Sequence, residues 1–501
     1  MLQNRTCQLC GHKDSSDKLT HKGNAKFVCK DTVSCESRQS YYGLVEKTEP
    51  NTKRYVLTTA VIGCPATPAL KTLEAYCKDT NAELIVLTIK YKHIEQAAGY
   101  SSDWLDSDLA KYARYSRFLL GDDIQVLGDI QISPTAVNPL TGLAPICKGK
   151  STILPCTQLA QQSIPTAKGV RPITIWGTGA VTEPIYSDSK SGYKGEFHHA
   201  ISAVVVEIDA DCDYFIRNLP ISSANYELVD LGAVYNPSGK VRTRLPYNLI
   251  LGDIHVGSHC PKNSNAIEEL VSDLGKSNAV ILHDVFDGAT INHHELGNPF
   301  AQQDLPFENL LAELDANVSY LNYVASSWSN KVYVVDSNHH DFLTKWLLAV
   351  DWRKETNPDN AVVYLALASA VMSKKSKKGI YEVALDYASD AYRNPINPAV
   401  IFLGCDESLV IYENELGIHG HLGGNGARGS KNTWVNSGVK TITGHTHSPF
   451  IDKSAFGTGT STYLTLGYTK GFSSWSNTHV IEYETGKRQQ FTTINGKYRA
   501  K

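Results

Sequence analysis

Tyr247-Asn248-Leu249-Ile250-Leu251-Gly252-Asp253-Ile254-His255 is the stretch on which the reading of the fold turns. Its first five residues, apolar but for Asn248, read as a strand, and the chain then passes through Gly252 to a carboxylate and an imidazole two positions apart. Such a pair at a strand end projects from the sheet rim toward one ion. The pattern returns along the second half of the chain. Ala279-Val280-Ile281-Leu282 runs into His283-Asp284-Val285-Phe286-Asp287, and Val332-Tyr333-Val334-Val335 into Asp336-Ser337-Asn338-His339-His340-Asp341. Leu409-Val410-Ile411 precedes Gly417-Ile418-His419-Gly420-His421, and Val439-Lys440-Thr441-Ile442-Thr443 leads to Gly444-His445-Thr446-His447. Any one of these is a common turn or surface pair. Together they place oxygen and imidazole ligands at the ends of successive strands, where open α/β sheets put their sites, with a chemistry suited to Mn²⁺, Fe, Zn²⁺ or Mg²⁺.

The order Asp-X-His, Asp-X-X-Asp, Asn-His, His and Gly-His-X-His resembles that of the calcineurin-like metallophosphoesterases, over about residues 247–470. The sequence departs from the family pattern where glycine is usual, with His283 before the second Asp and Ser337 before Asn-His. Neither change removes a ligand. The resemblance implies an α/β sandwich of mixed sheets flanked by helices, and two divalent ions, Mn²⁺ foremost or Mg²⁺. It assigns Asp253, His255 and His447 to one ion, Asn338, His419 and His445 to the other, and Asp284 to the bridge between them. His339 would face the substrate as general acid or hydrogen-bond donor. His419 is preferred over His421 because the first His of similar His-Gly-His segments usually ligates. Asp287 either orients a ligand or begins the following loop. Two ions about 3.5–4 Å apart clamp the attacking and leaving oxygens of an in-line phosphoryl displacement.

Outward from this region, 501 residues predict several domains. The reading is a Cys-rich module at 1–45, an accessory α/β domain at 54–245 opened by a strand–helix–strand unit, and a catalytic domain at 246–501 with a helical insertion at about 357–395. Apolar residues make up 42% and charged residues 20%, which excludes a disordered chain or a fibre. Mean hydropathy is -0.25, and no apolar run is long enough for a membrane helix. A formal charge of -3 excludes a globally basic nucleic-acid binder but not a basic groove. Seven scattered cysteines and no signal peptide predict a reducing, cytoplasmic setting.

Cys7, Cys10, Cys29 and Cys35 have near-knuckle spacing for a structural Zn²⁺, with His12 and His21 as substitutes and several lysines between them. A polar segment this short needs such a staple to fold; the alternative is four unlinked thiols in an arm. A basic zinc module contacts nucleic acid or docks protein, and nucleic acid is favoured. Lys374, Lys375, Lys377 and Lys378 form the densest basic run, by default a solvated loop, and in a nuclease a grip on the DNA backbone. His293 and His294 either line the substrate path or open a surface helix. Trp176-Gly177-Thr178-Gly179 reads as a strand turning rather than a phosphate loop, and His198-His199 as a packed pair.

The zinc module, the accessory domain and the basic insertion favour DNA as substrate. The stretch from Thr178 through His199 to Ile208, followed by the metal motifs, is similar to large bacteriophage-encoded metallophosphoesterases, among them DNases made early in infection that degrade host DNA. That resemblance implies a nuclease acting in the bacterial cytoplasm, without a membrane partner and with a homo-oligomer left open. The alternatives are a phosphatase or cyclic nucleotide phosphodiesterase for a small ester, and a non-catalytic protein that keeps the metals as structure.

Overall fold

The computed structural model describes residues 53–98, 101, 103–292, 305–355, 357–373, 378–467 and 469–501, with four short strands before them. Those strands form two antiparallel pairs, Asn4–Thr6 with Lys13–Ser15 and Leu19–His21 with Phe27–Cys29. Of the cysteine quartet, Cys29 ends a strand, whereas Cys7, Cys10 and Cys35 lie outside the described residues. His293, His294, Lys374, Lys375 and Lys377 lie outside them too. The seven scattered cysteines are free thiols.

The chain is a mixed α/β protein built on three large sheets. A six-stranded sheet runs in the order Val400–Phe402, Val332–Val334, Ala279–Leu282, Tyr247–Ile250, Thr478–Tyr483, Arg488–Thr492. Its first four strands are parallel, and the last two form an antiparallel hairpin on Tyr247–Ile250. Continuous apolar sequence marks these strands because both faces are covered. Side chains alternate between faces: Leu249, Val280 and Leu282 join a core with the helices Pro261–Leu274, Leu310–Ser327, Asp341–Ala349, Pro358–Ser373 and Ile380–Tyr392, while Ile250 and Ile281 join the opposite core. Asn309 caps Leu310–Ser327, accepting from the Ala312 N–H at 2.9 Å.

The opposite core lies against a ten-stranded mixed sheet. In it, Asn414–Glu415 and Lys440–Thr443 run parallel, and Leu159–Ile164 pairs antiparallel with Phe450–Asp452. One sheet therefore carries strands from both halves of the chain. In the first half, Lys53–Ile62 and Ala82–Lys90 are parallel strands joined by the helix Ala69–Thr80, inside a five-stranded sheet. Ile173–Thr178 is a strand that ends at Gly179, whose φ of 71° turns the chain. His199 is hydrogen-bonded to the Tyr186 hydroxyl (2.8 Å) and the Thr182 carbonyl (3.0 Å). Among the described residues no helix is long and apolar enough to cross a membrane.

Candidate metal centre

The strands Tyr247–Ile250, Ala279–Leu282 and Val332–Val334 of the six-stranded sheet and Asn414–Glu415 and Lys440–Thr443 of the ten-stranded sheet lead to one place. The segments after Tyr247–Ile250 and Ala279–Leu282 stay side by side beyond the sheet, with Ile254 N donating to His283 O (3.0 Å) and His255 N to Asp284 O (2.7 Å). Facing them, Gly444 N donates to His419 O (2.8 Å), and His445 N to Asp253 Oδ1 (3.1 Å), which ties the loops of the second sheet to the first. Two glycines permit this approach. A Cβ on Gly252 would stand 2.6 Å from the Gly459 carbonyl carbon, and one on Gly444 would collide with Asp253 Oδ1 and lie 2.9 Å from the His283 Cβ.

Three sets of side chains converge there. Asp253, His255, Asp284 and His447 form one, Asp284, His419 and His445 a second, and His255, Asp287 and His339 a third, each with ligand atoms within 4.8 Å of one another. His447 Nε2 lies 3.0 Å from Asp253 Oδ2 and 3.2 Å from His255 Nε2. Asp284 Oδ2 lies 3.2 Å from His419 Nε2 and 3.8 Å from His255 Nε2, so this carboxylate belongs to two sets at once. Asn338 Oδ1 is 3.2 Å from His419 Nε2. The His421 ring stands 5.4 Å from that of His419, at the margin of the group. Lys378, just before the helix Ile380–Tyr392, pairs with Glu382 (3.0 Å) and Asp386 (2.6 Å).

The electrostatics suit cations. Asp253, Asp284 and Asp287 are buried carboxylates, and among the described residues none meets a Lys or Arg. Buried charges of this kind are paired or coordinate metals. Here histidines supply the positive charge. Burial disfavours the His255 imidazolium, but its hydrogen bond to Asp287 and the charges of Asp287, Asp284 and Asp253 outweigh it and lift the ring to about 9. Burial also disfavours the Asp253 carboxylate, and His447 outweighs it, holding the group at about 2. Asp284 Oδ1 has no hydrogen-bond partner among the described residues. An N/O donor set with a buried, unpartnered carboxylate oxygen fits a divalent ion.

The backbone is strained at the same point. His255, Asp284, His445 and His447 have φ of 48°, 43°, 70° and 53°, the left-handed region that non-glycine residues rarely adopt. Such strain concentrates at functional sites. Several residues support the cluster, and apart from Asp287 and His339 they carry no readable signal in the sequence. Asp287 accepts from Ser258 Oγ (3.1 Å) as well as bonding His255 Nδ1 (3.1 Å), and its carbonyl accepts from His339 Nδ1 (2.8 Å). Glu313 accepts from the backbone N–H groups of Gly288, Ala289 and Thr290 and from the Thr290 hydroxyl, which fixes the loop behind Asp287. It is a helical glutamate with no motif around it. Trp475 packs on His447 with ring centroids 4.2 Å apart, and it too falls outside any spacing pattern.

Fold and site together define an α/β protein with a buried Asp/His cluster able to hold metal. No family model matches the sequence, and no solved structure matches it. The chain is similar to Protein A1 of Escherichia phage T5, with 29% identity over 462 residues that cover 89% of this chain and 83% of the phage protein.

Proposed function

We propose that the protein is a two-metal-dependent phosphodiesterase that hydrolyses DNA, a phage-encoded nuclease of the kind its motifs resemble. The observation that carries this reading is the sharing of Asp284 between two ligand sets at the meeting of two sheets. Similarity to a phage protein over most of the chain supports the phage origin. In this reading Asp253, His255 and His447 hold one ion, Asn338, His419 and His445 the other, and Asp284 both. When bound, two divalent ions supply charge neutralisation at the phosphoryl oxygens and a water acidic enough to react near neutral pH. The chain's own residues do the rest. Asp287 orients His255 through Nδ1 and is held in turn by Ser258. A carbonyl can only accept, so the bond to Asp287 fixes a proton on His339 Nδ1. Nε2 is then the nitrogen that would give a proton to the leaving oxygen, and burial holds this ring below the usual imidazole range against the opposing charge of Asp284.

The test uses purified protein with Mn²⁺, incubated with plasmid, single-stranded circular DNA and an aryl phosphodiester, with Asp253→Ala as the blank. Loss of DNA with the parent protein alone is expected. Hydrolysis of the aryl ester with all DNA intact would replace the reading with a small-molecule phosphodiesterase.

A further inference from the structure

Next to the metal centre is a cavity of about 430 Å³, within the range of about 300–1,000 Å³ typical of small-ligand sites. Its walls include the aromatic side chains of Trp176, Tyr214, Tyr463 and Trp475, and its rim carries Lys168 and Lys262. Two paths join it to the metal centre, each one residue long. The Trp475 ring, which lines the cavity, packs on His447. Tyr463 N donates to Ser258 O (3.1 Å), and Ser258 Oγ donates to Asp287. The cavity and the Asp/His cluster are therefore neighbours, with Trp475 and Ser258 between them.

The lining has a division of labour. Trp176 and Tyr214 are buried, and the Tyr214 ring is already covered by Arg171, whose guanidinium is paired with Asp213. Tyr463 is 51% exposed, so its ring is free to meet a flat partner, and Trp475 is half-buried beside it. Lys168 and Lys262 are exposed and make no ion pair among the described residues. Accessible aromatic surface with unpaired cations at the rim is the composition that stacks a base while gripping its phosphate.

The geometry points to this cavity as a subsite for one unpaired nucleobase flanking the scissile phosphodiester. A base within a duplex is stacked and paired and cannot enter unless it is extruded. The subsite accordingly makes the enzyme select single-stranded or locally opened DNA. The inference rests on the phosphodiesterase reading for its position relative to the scissile bond, and its test is separate from turnover.

A single-stranded phosphorothioate dodecamer with one 2-aminopurine, whose linkages resist hydrolysis, is titrated with the metal-loaded protein, and its fluorescence is followed. Stacking in the subsite quenches the base. Tyr463→Ala is expected to abolish the quench and weaken binding by about 5- to 150-fold, the equivalent of stacking one base. Tyr463→Phe keeps both, which separates stacking from misfolding. Replacing Lys168 and Lys262 together with Ala lowers the slope of log affinity against log salt by about 0.7 for each phosphate left without its lysine. Absence of a quench with the parent protein, or a full quench with Tyr463→Ala, overturns the subsite. Aryl phosphodiester hydrolysis by the same preparation with Mn²⁺ reports independently on the metal centre.

Discussion

Asp284 is the residue on which the proposed layout depends, because one buried carboxylate faces His255 on one side and His419 on the other. It also sits in a left-handed conformation, φ 43°, of a kind costing on the order of 1–3 kcal/mol that only surrounding structure maintains. If it bridges two ions, Asp284→Ala removes a ligand from both. Metal analysis of the dialysed variant is then expected to show both ions depleted, and retention of either at full occupancy would refute the bridge. His339 makes the contrasting case. Its ring meets that of His255 at 4.6 Å, but its hydrogen bond goes to a backbone carbonyl. His339→Ala should keep the metal content and lower turnover by ~10²–10⁴-fold, the usual worth of a positioned proton donor. Turnover equal to the parent's would take His339 out of the chemistry.

At the scale of elements, the candidate ligands are legible in the sequence because a strand covered on both faces is almost wholly apolar, and its end is where polar residues first reappear. Leu249 and Ile250 illustrate it: neighbours in sequence, they enter opposite cores, and Asp253 and His255 follow at the rim. His283 shows the limit of such reading, since pattern alone marks it only as an imidazole where glycine is usual. In the fold it is fully buried, its two ring nitrogens without hydrogen-bond partners among the described residues, and burial pushes it down to about 4. Its neutral ring packs where the loop of Gly444 closes over Asp253. That closeness makes Gly444 a sensitive point of the turn. Gly444→Ala would force the loop off Asp253 and His283, with overpacking of about 1–3 kcal/mol. A lower melting temperature and weaker metal binding in a titration are expected together. If neither changes, the two loops do not make the close approach on which the site's geometry depends.

For the whole molecule, little in the sequence signals that the halves are interlocked. Strand identity follows from local composition, whereas pairing of Leu159–Ile164 with Phe450–Asp452 is a choice between partners nearly three hundred positions apart, and no local pattern encodes it. The same holds for the polar ties between sheets. Glu482 lies buried on the six-stranded sheet, opposite Asn248, and its oxygens accept from Asn248 Nδ2 (2.9 Å) and from Asn414 Nδ2 (2.6 Å) on the ten-stranded sheet. Burial raises its carboxyl to about 7, with the two amide bonds and the charge of Arg488 opposing less strongly. The folded protein therefore holds this proton more tightly than the unfolded chain, whose glutamate titrates near ~4.3. Stability from this group is fully present below that unfolded value and is lost as pH rises through about 7. Glu482→Gln keeps the size and removes the titration. The difference in urea midpoint between variant and parent should move in favour of the variant from pH 5 to pH 8, by on the order of 2–3 kcal/mol in stability, because all other groups cancel in the comparison. A difference constant over that range would mean that Glu482 is ionised in the fold throughout, and that the junction between the two sheets carries a buried charge instead of a neutral carboxyl.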